Sequence, residues 1–74
     1  MEVRGNDLAV DYILVNNFKN TNLENANFKN ADLRYADFYL ADLTNADLSG
    51  ADLSNANLSN ANLKCKNHPI CESD

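Results

Sequence analysis

Seventy-four residues carrying eleven acidic against six basic side chains, a net charge of −5, leave room for one small domain of a size where burial is marginal. Lys19, Lys29, Arg34, Lys64 and Lys66 are scattered, so nothing concentrates positive charge on phosphates, and direct nucleic-acid binding is not expected. No apolar run approaches the ~20 residues that span a bilayer, so no membrane span is expected either.

The chain opens on MEVRGNDLAV, with no basic segment leading into an apolar core. With Met1 as the natural start, that places the protein in the cytoplasm. An oxidising compartment such as a lumen or periplasm is the alternative if a targeting segment was removed. Residues 1–5 form a short N-terminal segment, and from residue 6 a period of five takes over. Its centres are Leu8, Ile13, Phe18, Leu23, Phe28, Leu33, Phe38, Leu43, Leu48, Leu53, Leu58 and Leu63. Two residues before each centre stands Ala from Ala26 to Ala61, whereas Asn6, Asp11, Asn16 and Thr21 hold that slot earlier.

This period fits neither helix nor ordinary strand. Leucines five apart on a helix rotate by about 140° per step and define no face. On a strand an odd period sends successive leucines to opposite faces. A disordered chain would place no constraint on apolar spacing. Strict self-similarity points instead to a solenoid, where each unit buries its apolar face only by stacking on the next.

Units such as Ala46-Asp47-Leu48-Ser49-Gly50 resemble the pentapeptide-repeat proteins, strongly over residues 21–65 and loosely over 6–20. The resemblance implies an all-β fold: a right-handed quadrilateral parallel β-helix with four pentapeptides per coil, here about three coils over residues 6–65. Residues 6–25 would be a degenerate first coil and 66–74 a short C-terminal cap or tail. In that fold the centre and the small residue point inward, giving the columns Leu8/Phe28/Leu48, Ile13/Leu33/Leu53, Phe18/Phe38/Leu58 and Leu23/Leu43/Leu63. Each buried centre contributes roughly 1.5–3 kcal/mol, against about 1–2 kcal/mol per residue for ordering the backbone. So short a rod gains from oligomerisation or docking on a partner.

The outward slots carry the functional readings. Asp32, Asp37, Asp42, Asp47 and Asp52 read as an acidic stripe, but folding at four pentapeptides per coil spreads them over four walls. Only Asp32 and Asp52 then stack like on like, mildly unfavourably. Val10, Leu14, Val15, Tyr35, Tyr39 and Leu40 are the apolar exceptions. Leu14, Val15, Tyr35, Tyr39 and Leu40 form a candidate interface across one corner, with Tyr favoured at such surfaces. The competing readings are a cover formed by residues 1–5 or merely scattered surface.

In the tail, KCKNHPICESD abandons the repeat, and Pro69 cannot donate a ladder bond, so pairing should stop there. Ile70 is placed to fold over the core near Leu58 or Leu63. Cys65 and Cys71 fit one short disulfide or two free thiols. With His68 they also fit three ligands of a zinc site whose fourth would have to be Glu72 or Asp74. Lumenal pentapeptide-repeat proteins carry disulfides in such caps, which keeps the oxidising compartment open.

No catalytic constellation is expected: His68 lies beside Pro69, and Ser49, Ser54 and Ser59 fall on different walls. No cofactor is implied, and a small-molecule ligand is not expected. The reading is a non-enzymatic protein–protein interaction or assembly module that binds a protein partner or itself. The alternative is an acidic DNA mimic regulating a topoisomerase such as DNA gyrase, as some pentapeptide-repeat proteins do. Against it, three coils at the strand spacing span about 14 Å, a length of duplex that carries about eight charges, and these five dispersed aspartates do not match that density.

Overall fold

The computed structural model describes residues 16–72. The readings on residues 1–5, on the early slots Asn6, Leu8, Asp11 and Ile13, on Val10, Leu14 and Val15, and on Asp74 lie outside the described residues.

Within them the chain returns onto itself every twenty residues. Parallel bridges join Asn17 to Asp37 and Asp37 to Asn57, Asn22 to Asp42 and Asp42 to Asn62, Asn27 to Asp47, and Asp32 to Asp52. These make four columns, one for each pentapeptide of a coil. Every bridge is built from a reciprocal pair of main-chain bonds, as where Phe18 N donates to Asp37 O (2.7 Å) and Asp37 N to Asn16 O (2.9 Å). A further bond runs from each corner between Asn20 and Asn45, such as Asn20 N to Tyr39 O (2.8 Å). Among the described residues no segment pairs as a strand longer than a single bridge, because from Asn17 to Asn57 a turn follows each one.

The turn explains the period. From Phe18 to Leu58, the carbonyl of each centre accepts from the N–H three residues on, as in Ala41 N to Phe38 O (2.9 Å). The residue just before that donor has positive φ at all nine turns: Asn20, Asn25, Asn30, Tyr35, Leu40, Asn45, Gly50, Asn55 and Asn60. Positive φ at the third turn residue alone is the pattern of a type II turn, which favours Asn or Gly there. At Gly50 an added Cβ would also collide with the side-chain oxygen of Asn30 one coil below.

Opposite the turn, the Asx residue before each centre locks the corner from outside. From Asn17 to Asn62, each of the ten accepts at Oδ1 from the N–H two residues on, for example Ser49 N to Asp47 (3.0 Å). The repeat is therefore a bridge plus a doubly tied corner, and each of its five slots has one physical task.

Inside, the centres and the small residues make a narrow core. Phe38, Leu43 and Leu48 have no solvent exposure, and Ala36, Ala41 and Ala46 are buried beside them. Phe18 stacks on Phe38 in one column (5.1 Å between ring centroids), while Phe28 meets both edge-on from another column (5.5 and 6.1 Å). Bulk is thus shared across the axis, in the edge-on and offset geometries that aromatic quadrupoles favour. An alanine beside each large centre leaves room for that sharing.

At the C-terminal end the repeat runs one residue further than its sequence pattern, and out of step. Lys66 bridges Asp47, nineteen positions away, so one residue has been dropped. Cys65 moves into a small-residue slot, where it is buried at 9% exposure. Pairing ends at Lys66 rather than at Pro69, because Asn67 turns the chain with φ 71°. Among the described residues no helix is long and apolar enough to cross a membrane.

Candidate functional site

Two features depart from the repeat, and they lie on different parts of the molecule. One is a pair of apolar corners. Tyr35 (62% exposed) and Leu40 (46% exposed) are the large hydrophobic side chains most open to solvent among the described residues. They hold φ of 63° and 59°, where seven other corners use Asn or Gly. A bulky or branched L-residue in this region is strained by roughly 1–3 kcal/mol. Tyr39 is half-buried in the same turn as Leu40, and its N–H donates to Asp37 Oδ1 (3.0 Å). The three residues therefore occupy two successive turns of one coil. Sequence reasoning found them by their apolar character. It missed the strain, although Asn or Gly recurring in the same slot was the signal for positive φ.

Polar groups frame these corners. Arg34 lies across Asp32 as a two-point pair, with Nε to Oδ1 and Nη2 to Oδ2 both at 2.9 Å. That guanidinium holds the Asp32 carboxyl below its ordinary value, with the Arg34 N–H adding to the effect. Lys19 approaches Asp37 more loosely, at 3.9 Å.

The aspartates are tied to their own turns rather than massed for a ligand. Thr44 Oγ1 donates to Asp42 and Ser54 Oγ to Asp52, each at 2.6 Å. Hydroxyl and main-chain donors together hold both carboxyls below the ordinary range. Asp47 is lowered chiefly by the Asn67 side-chain amide (3.1 Å) and then by Ser49 N–H. Asp32 and Asp52 bridge one another directly, and their like charges are moderated by Arg34. The five aspartates fall in all four columns.

The second feature is the cap. Cys65 and Cys71 are joined in a disulfide, with Cα atoms 5.1 Å apart. Neither sulfur is then a thiolate available to a metal. Both His68 nitrogens are also occupied: Ile70 N–H donates to Nδ1 (3.2 Å), which leaves the proton on Nε2, 3.0 Å from Ala51 O. In the column before, Ala46 O receives Lys66 N (3.0 Å), so the imidazole takes the place of the next ladder amide. Glu72 N–H donates to Leu63 O (2.7 Å), and Ile70 and Cys71 pack on the end of the core. Among the described residues no group of three His, Cys, Asp or Glu side chains is arranged to hold a metal ion. The proposed zinc set of Cys65, His68 and Cys71 is thus replaced by a covalent staple and a hydrogen-bonding histidine.

The family model for pentapeptide repeats matches residues 17–50 and 36–65, in eight copies. The chain belongs to the pentapeptide-repeat family. Members are generally non-enzymatic structural or interaction proteins. Comparison with curated proteins and with solved structures returns no match.

Proposed function

We infer that this pentapeptide-repeat protein is a non-enzymatic interaction module, built as a short right-handed four-sided β-helix, that binds a protein partner through Tyr35, Tyr39 and Leu40. The twenty-residue parallel return and the family membership support the architecture. One observation carries the binding surface. Tyr35 and Leu40 stand exposed at positive φ, in a slot that the other seven described turns fill with Asn or Gly. Asn there would relieve strain and hydrate better, so the two residues disfavour folding, and binding is the use that offsets their cost. The acidic reading has no comparable support, since the carboxylates serve their own turns. The Cys65–Cys71 disulfide favours the oxidising alternative over the cytoplasm.

The test is the double variant Tyr35→Asn/Leu40→Asn. It is expected to raise stability in chemical denaturation by about 1 kcal/mol per residue while losing partner capture in a pull-down. Capture of the same proteins by wild type and variant would remove the patch from consideration.

A further inference from the structure

The cap covers only part of the end it sits on. Lys66 closes the Asp47 column and His68 takes Ala51 O. In the next two columns, the N–H groups of Leu58 and Leu63 and the carbonyls of Ala56 and Ala61 find no main-chain partner among the described residues. Ala56, Leu58, Ala61 and Leu63 are only half-buried, whereas their counterparts one coil below, Ala36, Phe38, Ala41 and Leu43, are at 0–1% exposure. This is an open sheet edge with apolar side chains behind it, the kind of edge that recruits another strand.

Its bonding pattern names the occupant. Ala56 O and Leu58 N–H flank Asn57 on the same edge. Around a two-fold axis at Asn57, each Leu58 N–H meets the Ala56 carbonyl of a second copy, the arrangement of a non-hydrogen-bonded antiparallel pair. A straight foreign strand would satisfy one column and then part from the edge at the next corner. A second coil end follows the corner. In the closed state each cap stands one strand, about 4.8 Å, above the end. Two such caps facing one another hold the open columns apart.

We propose that the Cys65–Cys71 disulfide is a redox latch: its reduction frees the cap and lets two copies of the chain pair through their C-terminal coil ends. The reductant is a dithiol. Its thiolate attacks the sulfur of Cys71, the more exposed of the two, and Cys65 leaves as a thiolate that water protonates. The reductant's second thiol then displaces Cys71, so two protein thiols and one reductant disulfide result. Without the cross-link the cap is held by Asn67 on Asp47, His68 on Ala51, Glu72 on Leu63 and the packing of Ile70. Loss of a loop closed over six positions favours the released cap by about fifty-fold on chain entropy. This device is independent of the Tyr35 patch.

Light scattering across a concentration series, with and without dithiothreitol, tests it, alongside amide exchange on the same samples. The oxidised chain is expected at monomer mass. The reduced chain should approach twice that mass with rising concentration, while Phe38 and Leu43 amides stay protected. Reoxidation should reverse the change. The Cys65→Ala/Cys71→Ala variant, which restores the repeat's own residue at 65, should pair without reductant. Tyr35→Asn/Leu40→Asn should pair on reduction as wild type does. A reduced chain that keeps the oxidised mass overturns the proposal, as does an oxidised chain already at twice the monomer mass. A mass increase accompanied by loss of Phe38 and Leu43 protection also overturns it, because association would then follow unfolding.

Discussion

The coil from Leu33 to Leu53 and the end from Leu53 to Glu72 are made by the same chain under opposite rules. In the coil every corner is the same object: a turn at positive φ, an Asx bond outside, a large and a small apolar residue inside. From Leu33 to Leu48 the amides of the centres, the Asx residues and the positive-φ residues find their partners one coil away, because the neighbouring coil repeats the pattern. The end has no neighbour, so what is covered there is covered piecemeal by the tail: a histidine ring on Ala51 O, a disulfide, and Ile70 against the core. Propagation is generic, and termination requires particular side chains.

That contrast is broken most severely in the coil. Phe38→Ala empties a site with 0% exposure where Phe18 and Phe28 both rest. It should cost roughly 3–5 kcal/mol, enough to unfold a domain this small at room temperature by circular dichroism. Leu58→Ala, one coil later in the same column but half-buried, should cost no more than about 2 kcal/mol and leave a measurable urea transition. Equal losses at the two sites would mean that the end is as tightly packed as the middle.

Legibility divides along the same line. The centres, the small-residue slot and the four inward columns were all readable, because a feature repeated many times separates itself from chance. The tail was read only as a set of alternatives. Cys65, His68 and Cys71 have no repeat to fix their geometry, and six positions of spacing do not separate a disulfide from free thiols, with a three-ligand metal set the weakest fit. The one-residue slip at Cys65 is invisible in sequence, because Lys66 carries no mark of a bridging residue. The strain at Tyr35 and Leu40 lay between these extremes: their apolar character was visible, but the positive φ becomes so only when the Asn slot is recognised as a backbone requirement.

Reduction tests the end separately from the middle. Opening the Cys65–Cys71 loop should lower stability by about 2 kcal/mol if cap and coil unfold together. Amide exchange shows whether they do. The N–H groups of Cys71 and Glu72, held by His68 O and Leu63 O, should lose protection first, with Phe38 and Leu43 unaffected. Simultaneous loss across both regions would make the cap part of a single cooperative unit.

Acid gives the smallest effect, because the carboxylates concerned are exposed or only half-buried and so screened by solvent. Asp32, Asp42, Asp47 and Asp52 are all held below the ordinary value of 3.8 in the folded chain. The stability they lend is therefore complete above that value and is lost as pH falls below it, through the depressed folded values. The melting temperature should hold down to about pH 4 and fall as the pH drops further, and an unchanged melting temperature would show that these bonds do not favour the ionised form. Asp47 joins the two regions, since it caps the Ser49 turn within the coil and accepts from Asn67 in the cap. Asp47→Asn keeps a side-chain oxygen for both donors but no longer titrates. In that variant the cap amides of Cys71 and Glu72 should depend less on acid than in wild type, while the acid response set by Asp32, Asp42 and Asp52 persists. An unaltered acid response of the cap would place its pH sensitivity elsewhere than at this junction.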